Sequence, residues 1–219
     1  MTHLLLPTLL LQNLSLSITT QEMLVPPSQV MFKSADYRHV LHWTPPTNSS
    51  SLHYDVQWKI YGEPVWLDVE GCQGIQKHHC DLSRVTKYIR EWYYARVRAS
   101  SGYSCSKSSW ALSPRFSPCW DTQISPPSLK LNTTKQGIVV HVKPSRVLAR
   151  NLHKQHSLLY NIYTIHANGS EDVSEITSNE RTLTKLDPNT KYCFQAQVVI
   201  PRLFFKSSLR SSTKCTTTP

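Results

Sequence analysis

The stretch that most restricts the fold of this chain runs from Leu186 to Tyr192, near its end. It has the order Leu-x-Pro-x-Thr-x-Tyr, in which the leucine enters a core and Pro188 turns the chain. The tyrosine hydroxyl then bonds back to the backbone of the same corner, an arrangement found in antiparallel β-sandwiches. A sandwich of this kind needs about 100 residues. Because the chain has 219 residues, we expect two of them.

The middle of the chain separates the two expected domains. Pro114–Pro127 contains four prolines. Proline fixes φ and removes a backbone donor, so such a segment suits a connection better than a central strand. We therefore predict an all-β chain with an N-terminal domain over residues 21–122, a C-terminal domain over residues 123–219 and a Pro-rich elbow between them.

Alternation of apolar and polar side chains predicts the strands of both domains. Tyr54–Tyr61 and Tyr93–Ala99 show this period of two most clearly. Lys143–Ser157 is polar and basic, and we predict a loop there. The other predicted strands are Val30–Lys33, Val40–Trp43, Trp66–Val69, Trp110–Phe116, Ser128–Thr133, Ile138–Val142, Leu159–His166, Thr182–Leu186 and Tyr192–Ile200.

The first 20 residues predict export from the cell. Leucines dominate this segment, and it is followed by polar residues, as in a secretory signal peptide. No later run of about 18 apolar residues occurs, so we expect no membrane span unless the chain is a fragment cut before one. Three Asn-x-Ser/Thr sequons agree with a secreted, extracellular protein and predict glycosylation at Asn48, Asn132 and Asn168.

The chain has six cysteines, an even number that suits an oxidising compartment. Cys72 and Cys80 lie close in sequence, and a local disulfide is the simplest interpretation. His78 and His79 stand beside Cys80, so a metal site is the alternative. Their spacing matches no standard zinc pattern, and we expect no metal.

The remaining cysteines predict one further disulfide and leave another open. Cys193 and Cys215 fall on what would be adjacent last strands of the second sandwich, so we expect them to pair. Cys105 and Cys119 flank the last predicted strand of the first sandwich. An extended run of that length spans far more than a disulfide permits, so they pair only if the chain folds back between them.

The chain is basic, and its charge is unevenly distributed. The formal net charge at pH 7 is +10, and residues 123–219 contain 13 Lys/Arg against 5 Asp/Glu. A positive field of this kind attracts polyanions or acidic protein surfaces, which makes heparan-type glycans a candidate partner. No zinc-finger spacing, basic helix or aromatic RNA-binding motif occurs, so nucleic acid is not an expected partner.

The sequence contains no motif for chemistry. GxSxG, HExxH, CxxC, P-loop and GxGxxG patterns do not occur. The ten histidines are scattered along the chain. We therefore expect a binding protein with no cofactor, and not an enzyme.

Several stretches together carry a pattern that we can assign to a family. They are Val30–Ser34 with Val40–Trp43, Gln57–Gly62 with Trp66, Cys80–Leu82 with Tyr93–Ala99, and Pro114–Pro127. With the signal peptide, the two sandwiches and the early and late cysteine pairs, they resemble the class II cytokine receptors. The resemblance spans the chain after residue 20. It implies two tandem fibronectin type III-like β-sandwiches joined by the elbow.

The resemblance also implies where a ligand binds. In this family a helical cytokine lies against loops of both modules at the bend. Lys59, Tyr61 and Gly62, with the neighbouring Glu63, match the main cytokine contact, and Arg115 matches an arginine that reaches an acidic cytokine residue. Residues that correspond only by loop position are Thr86, Lys87, Tyr103, Arg202, Leu203 and Phe204.

The function that the resemblance implies is sequestration of an interleukin-22-like helical cytokine by a secreted, monomeric decoy receptor. The alternatives are the truncated ectodomain of a membrane-bound receptor of this family and a basic adhesion or glycan-binding module. Cys105 and Cys119 are additional to the family pattern. We expect Trp120 to pack between the modules and Cys119 to lock the bend, which would make the elbow rigid.

Overall fold

The computed structural model shows two β-sandwich modules in tandem. It describes residues 24–46, 52–102, 106–152, 157–204 and 206–219. The predicted signal peptide (residues 1–20), Asn48, Tyr103 and Cys105 lie outside these ranges. No helix within the described ranges is long and apolar enough to cross a membrane.

The first module packs two antiparallel sheets face to face. One sheet has the order β1 (Ser28–Ala35), β2 (Arg38–Thr44) and β5 (His79–Asp81). The other has the order β4 (Leu67–Asp68), β3 (Leu52–Ile60), β6 (Tyr93–Ser101) and β7 (Ala111–Leu112). Alternate side chains of both sheets point inward and form the core, as expected for a sandwich. Fully buried members of this core are Leu41, Tyr54, Val56, Ala95 and Val97.

The last strand of the first module is much shorter than predicted. Serine hydroxyls take the place of some of the backbone hydrogen bonds that this strand would form with β6. Ser113 and Ser108 accept hydrogen bonds from the backbone N–H groups of Ala95 (3.1 Å) and Ala99 (2.9 Å). Further along, Phe116 forms only an isolated bridge. The same device recurs in the second module, where serine hydroxyls accept from the longest strand.

The second module repeats this architecture. One sheet has the order β12 (Glu180–Leu183), β9 (Gly137–Lys143) and β8 (Ser128–Thr134). The other has the order β11 (Glu171–Ile176), β10 (Leu159–Ile165), β13 (Lys191–Ile200) and β14 (Lys206–Ser207), and β15 (Lys214–Thr217) also pairs with β13. The fully buried side chains between these sheets include Ile138, Val140, Ile162, Phe194 and Val198.

The tyrosine corner predicted from the sequence is confirmed. The Tyr192 hydroxyl accepts a hydrogen bond from the backbone N–H of Asp187 at 3.0 Å. The first module has an equivalent corner, in which the Tyr93 hydroxyl accepts from the N–H of Tyr88 and donates to its carbonyl, both at 3.2 Å. Burial raises the pKa of Tyr93 to about 12, so this hydroxyl keeps its proton at physiological pH.

Two short helices were not predicted. α1 (Pro118–Asp121) lies in the elbow, and α2 (Arg146–Leu152) lies in the segment predicted to be a loop. Ser145 caps α2, because its hydroxyl accepts a hydrogen bond from the N–H of Leu148 at 3.0 Å. Leu148 and Leu152, four residues apart, are both buried in the core of the second module.

Two of the predicted disulfides are formed, Cys72–Cys80 and Cys193–Cys215. The pairing of Cys119 with Cys105, which the sequence leaves open, is not formed, because Cys119 is a buried free thiol. Its side chain packs in the hydrophobic core of the second module, and its N–H donates to the carbonyl of Ile89 at 3.0 Å. Cys119 therefore contributes to the elbow by packing and not by a covalent bond.

The tip of the β1–β2 hairpin joins the two modules. Asp36 and Tyr37 form its two-residue turn, and both have positive φ, 52° and 62°. Positive φ at both positions is the geometry of a type I′ turn, which favours Asn-Gly over a tyrosine. The turn places Tyr37, only 6% exposed, in the core of the second module with Cys119 and Ile124.

The Asp36 carboxylate fixes this contact between the modules. It accepts hydrogen bonds from the N–H of Ser125 (2.8 Å) and the hydroxyl of Ser145 (2.5 Å). Asn151 of α2 donates to the Asp36 carbonyl at 2.9 Å, and the Asp36 N–H donates to the carbonyl of Gln123 at 2.9 Å. The elbow is thus bonded directly to the first module.

Candidate functional site

Tyr61 directly follows the last residue of β3. Its backbone N–H donates to the carbonyl of Trp92 at 2.7 Å, which fixes the base of the turn. Gly62 follows with a φ of +91°, a conformation that residues with a Cβ adopt rarely. The Tyr61 side chain is 55% exposed. The turn therefore presents a large aromatic ring on a well-defined backbone.

Arg115 lies over the same aromatic group. Its guanidinium carbon is 4.1 Å from the ring centroid of Trp92 and 5.5 Å from that of Tyr61. It is exposed, and it forms no salt bridge with any acidic residue in the described part of the chain. A cation held on aromatic faces keeps its charge available for an anionic partner.

Lys59 supports the turn. Its ammonium group donates to the carbonyl of Glu63 at 3.0 Å and lies 5.2 Å from the ring centroid of Trp66. The side chain is half-buried, whereas Glu63 is exposed. These contacts of Lys59 thus stabilise the Tyr61–Glu63 turn, and the Glu63 side chain is exposed to solvent.

The structure contradicts the expectation that Thr86 contacts a ligand. Its side chain is fully buried. The hydroxyl donates to the carbonyl of Leu82 at 2.9 Å and lies 2.7 Å from Nδ1 of His39. Both hydrogen-bonding roles of the hydroxyl are therefore used inside the module. Its neighbour Lys87 is exposed, with its ammonium 5.1 Å from the ring centroid of Tyr88.

The tip between β13 and β14 divides its residues between core and surface. The expectation that Leu203 contacts a ligand is wrong, because Leu203 is 3% exposed and packs in the core of the second module. Arg202 is exposed. Phe204 is 66% exposed and has a φ of 56°. Left-handed backbone in an exposed phenylalanine is strained, and strain of this kind concentrates at functional sites.

Trp120 lies next to Phe204. The two rings stack with centroids 4.8 Å apart, yet Trp120 is 56% exposed. Trp120 therefore bridges the modules at the surface and is not buried between them as expected. The ammonium of Lys206 supports the pair from the second module, because it donates to the carbonyls of Cys119 (2.8 Å) and Trp120 (2.9 Å).

Exposed aromatic and basic residues thus follow one another along the bend. We name this region the bend surface. The backbone bond between Ile89 and Cys119 connects its first-module part to α1, and Phe204 stacks on the far end of that helix. The sequence does not identify Tyr88 or Trp120 as ligand contacts, although an aromatic residue beside a predicted contact is a usable signal. The bend surface consists of Tyr61, Glu63, Lys87, Tyr88, Arg115, Trp120, Arg202 and Phe204.

No group of three or more His, Cys, Asp or Glu side chains within the described ranges could hold a metal ion. His78 instead packs edge-on against the ring of Tyr54. His79 stacks on His42 with ring centroids 5.8 Å apart. The pKa of His42 is lowered by partial burial and by the nearby Lys33 and His79.

Comparison with protein-family models assigns each module separately. The tissue factor family model matches residues 2–108. The model of the fibronectin type III domain of the interferon-alpha/beta receptor matches residues 122–219.

Comparison with curated proteins finds cytokine receptor subunits. Human interleukin-20 receptor subunit alpha is 35% identical over 80% of this chain, but the chain spans only 33% of that protein. Rat interleukin-22 receptor subunit alpha-2 is 29% identical over 88% of both chains. Bovine interleukin-22 receptor subunit alpha-1 is 31% identical over 82% of this chain and 32% of its own length. The chain therefore spans about a third of the interleukin-20 receptor subunits that it matches.

Among solved structures, the chicken interferon gamma receptor alpha chain superposes with a TM-score of 0.77. The alignment covers 89% of this chain and 98% of that one, at 24% identity. At this identity the likeness shows the fold alone, two fibronectin type III-like sandwiches in tandem.

Proposed function

Because this chain belongs to the class II cytokine receptor family, we propose that it binds a helical, interleukin-22-like cytokine at the bend surface. The observation that carries the proposal is the Tyr61 turn. An exposed aromatic ring stands on a fixed backbone, with the Arg115 guanidinium against it. Tyrosine and arginine are the residue types that most often dominate the binding energy of an interface.

The mechanism that we propose is competitive sequestration. Relatives of this chain include both alpha subunits of the interleukin-22 receptor, and both match over the same two modules. When a cytokine is bound at the bend surface, this chain covers the face of the cytokine that a membrane receptor of this family needs for binding. Occupancy alone then blocks signalling, and no chemical step is required.

We further propose that residues 1–20 are a signal peptide and that the chain is secreted, extracellular and monomeric. Asn132 and Asn168 are exposed and are the proposed glycosylation sites in the described part of the chain. Asn168 lies in a turn, where its side-chain oxygen accepts from the N–H and hydroxyl of Ser170. The sequon at Asn48 lies outside the described residues.

Substitution of the turn tests the proposed site. We expect Tyr61→Ala to raise the Kd for human interleukin-22 about thirtyfold, which corresponds to about 2 kcal/mol, because a central aromatic anchor is lost. Surface plasmon resonance with the immobilised cytokine measures this change. Val173→Ala is the matched control, since Val173 is 58% exposed but lies on β11, away from the bend. Equal affinities of both variants and the wild type would overturn the site assignment.

The alternative reading, the ectodomain of a membrane receptor, uses the same bend surface. A competition experiment tests the sequestration mechanism, which both readings share in solution. Saturation of interleukin-22 with the chain should prevent the cytokine from binding immobilised interleukin-22 receptor subunit alpha-1. A complex of all three proteins would contradict sequestration while leaving cytokine binding intact.

A further inference from the structure

A cleft between the modules gathers cations from both. Residues 87–91 of the first module and the tip at Arg202 and Leu203 line it, and its volume is about 720 Å³. The floor is apolar, because Leu203 is buried and Ile89 packs against the core of the second module. The cleft is open to solvent along its rim.

Positive charges dominate that rim. Lys87, Arg90 and Arg202 are all exposed, and none of them forms a salt bridge with an acidic group in the residues that the structure describes. Glu91 is the one carboxylate among the lining residues. Like charges gathered without partners are unfavourable in an isolated protein. Their convergence on an open cleft therefore indicates an anionic ligand.

Two other cations of the second module are engaged in contacts within the protein. Arg210 binds Glu171 through both terminal nitrogens, at 2.8 and 3.1 Å. Lys206 donates to two backbone carbonyls of α1. Arg202, by contrast, lines a cleft that it shares with the first-module cations Lys87 and Arg90.

We propose that this cleft binds a sulfated glycosaminoglycan. Sulfate esters are anionic at every physiological pH and occur at regular spacing along a flexible chain, so successive sulfates can reach Lys87, Arg90 and Arg202. The ring of Tyr88, 58% exposed, offers a flat apolar surface to the sugar. An open, basic rim suits an extended polymer, and patches rich in Lys and Arg are typical heparin sites. The glycan does not require the cytokine for binding, but Lys87, Tyr88 and Arg202 also belong to the bend surface, so the two ligands compete for these residues.

Heparin binding at graded salt tests the proposal. We expect the wild-type chain to bind immobilised heparin at about physiological salt, with a Kd that rises steeply with NaCl. Arg90→Ser/Arg202→Ser should reduce the slope of log Kd against log[NaCl] by about two, because each cation that contacts a polyanion releases close to one counterion. N- and O-desulfated heparin should not bind.

A matched double variant distinguishes an effect of the cleft on heparin binding from an effect of net charge. Lys130→Ser/Lys143→Ser removes the same two charges from exposed positions on β8 and β9, and its slope should equal that of the wild type. Equal losses in both double variants, or no retention of the wild type, would overturn the proposal. Retention on poly-glutamate but not on heparin would also overturn it and would identify an acidic protein segment as the occupant.

Discussion

His39 lies on β2 and is buried in the first module, where its environment favours the neutral imidazole. It is 2% exposed and packs edge-on against Phe116, with ring centroids 5.1 Å apart. Because the Thr86 hydroxyl donates its hydrogen to Leu82, it must accept from Nδ1 of His39. The hydrogen-bond network therefore assigns the neutral Nδ1–H tautomer. Nε2 has no hydrogen-bond partner among the described residues.

Acid should destabilise the first module through this residue. Burial lowers the pKa of His39 to about 4, against a smaller opposing effect of Asp81. A depressed histidine pKa means that the unfolded chain binds the proton more readily. The stabilisation is thus fully present above pH 6.5 and is lost as the pH falls towards 4. At pH 5 the loss is about 2 kcal/mol.

His39→Gln isolates this effect, because an amide retains a donor for Thr86 but does not titrate. We expect the free energy of unfolding of the variant, measured in urea, to change less between pH 7.5 and pH 5 than that of the wild type, by about 2 kcal/mol. Parallel pH profiles of the two proteins would show that other groups cause the acid sensitivity.

Single residues also show where sequence reasoning succeeds and fails. The exposure of Tyr61 follows from its place at the end of an alternating strand beside a glycine turn. The burial of Thr86 does not follow from its residue type, because a threonine whose hydroxyl is hydrogen-bonded inside the fold can be buried as readily as exposed. Its partners, Leu82 and His39, lie on different elements, and only the fold brings His39 to it.

At the scale of elements, the β1–β2 hairpin is the part of the first module that holds the second. We expect Asp36→Ala to lower the free energy of unfolding by about 2–3 kcal/mol, because the Ser125 N–H loses its partner in a buried site. Chemical denaturation measures the loss. Asp36→Asn keeps one acceptor and should cost less.

Asp172→Ala is the control for this effect, since that carboxylate is 76% exposed and pairs with His166. It should change the free energy of unfolding by less than about 1 kcal/mol. A loss in Asp36→Ala no larger than in Asp172→Ala would contradict the role of the hairpin tip as the fastening of the elbow.

The elements predicted from the sequence are those that local patterns determine. Alternation located β3, β6, β10 and β13, and the corner motif placed Tyr192 correctly. α2 was missed because its two buried leucines are surrounded by basic residues, although Ser145 three residues before Leu148 was a capping signal. β5 was missed because a short strand takes its identity from its neighbours, as His79 does from its pairing with His42. β11 was missed because it is an edge strand with no buried side chain, so its sequence shows no apolar alternation.

The elbow required the tertiary structure. Proline content predicted a connection between the modules. The Asp36–Tyr37 turn that enters the second module lies much earlier in the chain, since Asp36 and its partner Ser125 are 89 residues apart. No local pattern links such distant segments. The pairing of Gln123 with Ser34 and Asp36 is non-local in the same way.

For the whole molecule, the function that we propose depends on both modules being held at one angle. The Tyr61 turn belongs to the first module and Phe204 to the second, so a single ligand contacts both only if the elbow maintains their separation. A surface formed before the ligand arrives loses little conformational entropy on binding. Buried contacts of Tyr37 and Cys119, and the hydrogen bonds of Asp36, provide this preorganisation.

Hydrogen exchange of the chain with and without interleukin-22 tests this claim most directly. We predict slower amide exchange in peptides that contain the Tyr61–Glu63 turn and in those that contain Arg202 and Phe204, in the same complex. Peptides from β11, which lies away from the bend, should exchange unchanged. Protection of one module only, or of β11 instead of the bend, would contradict a cytokine site shared by both modules.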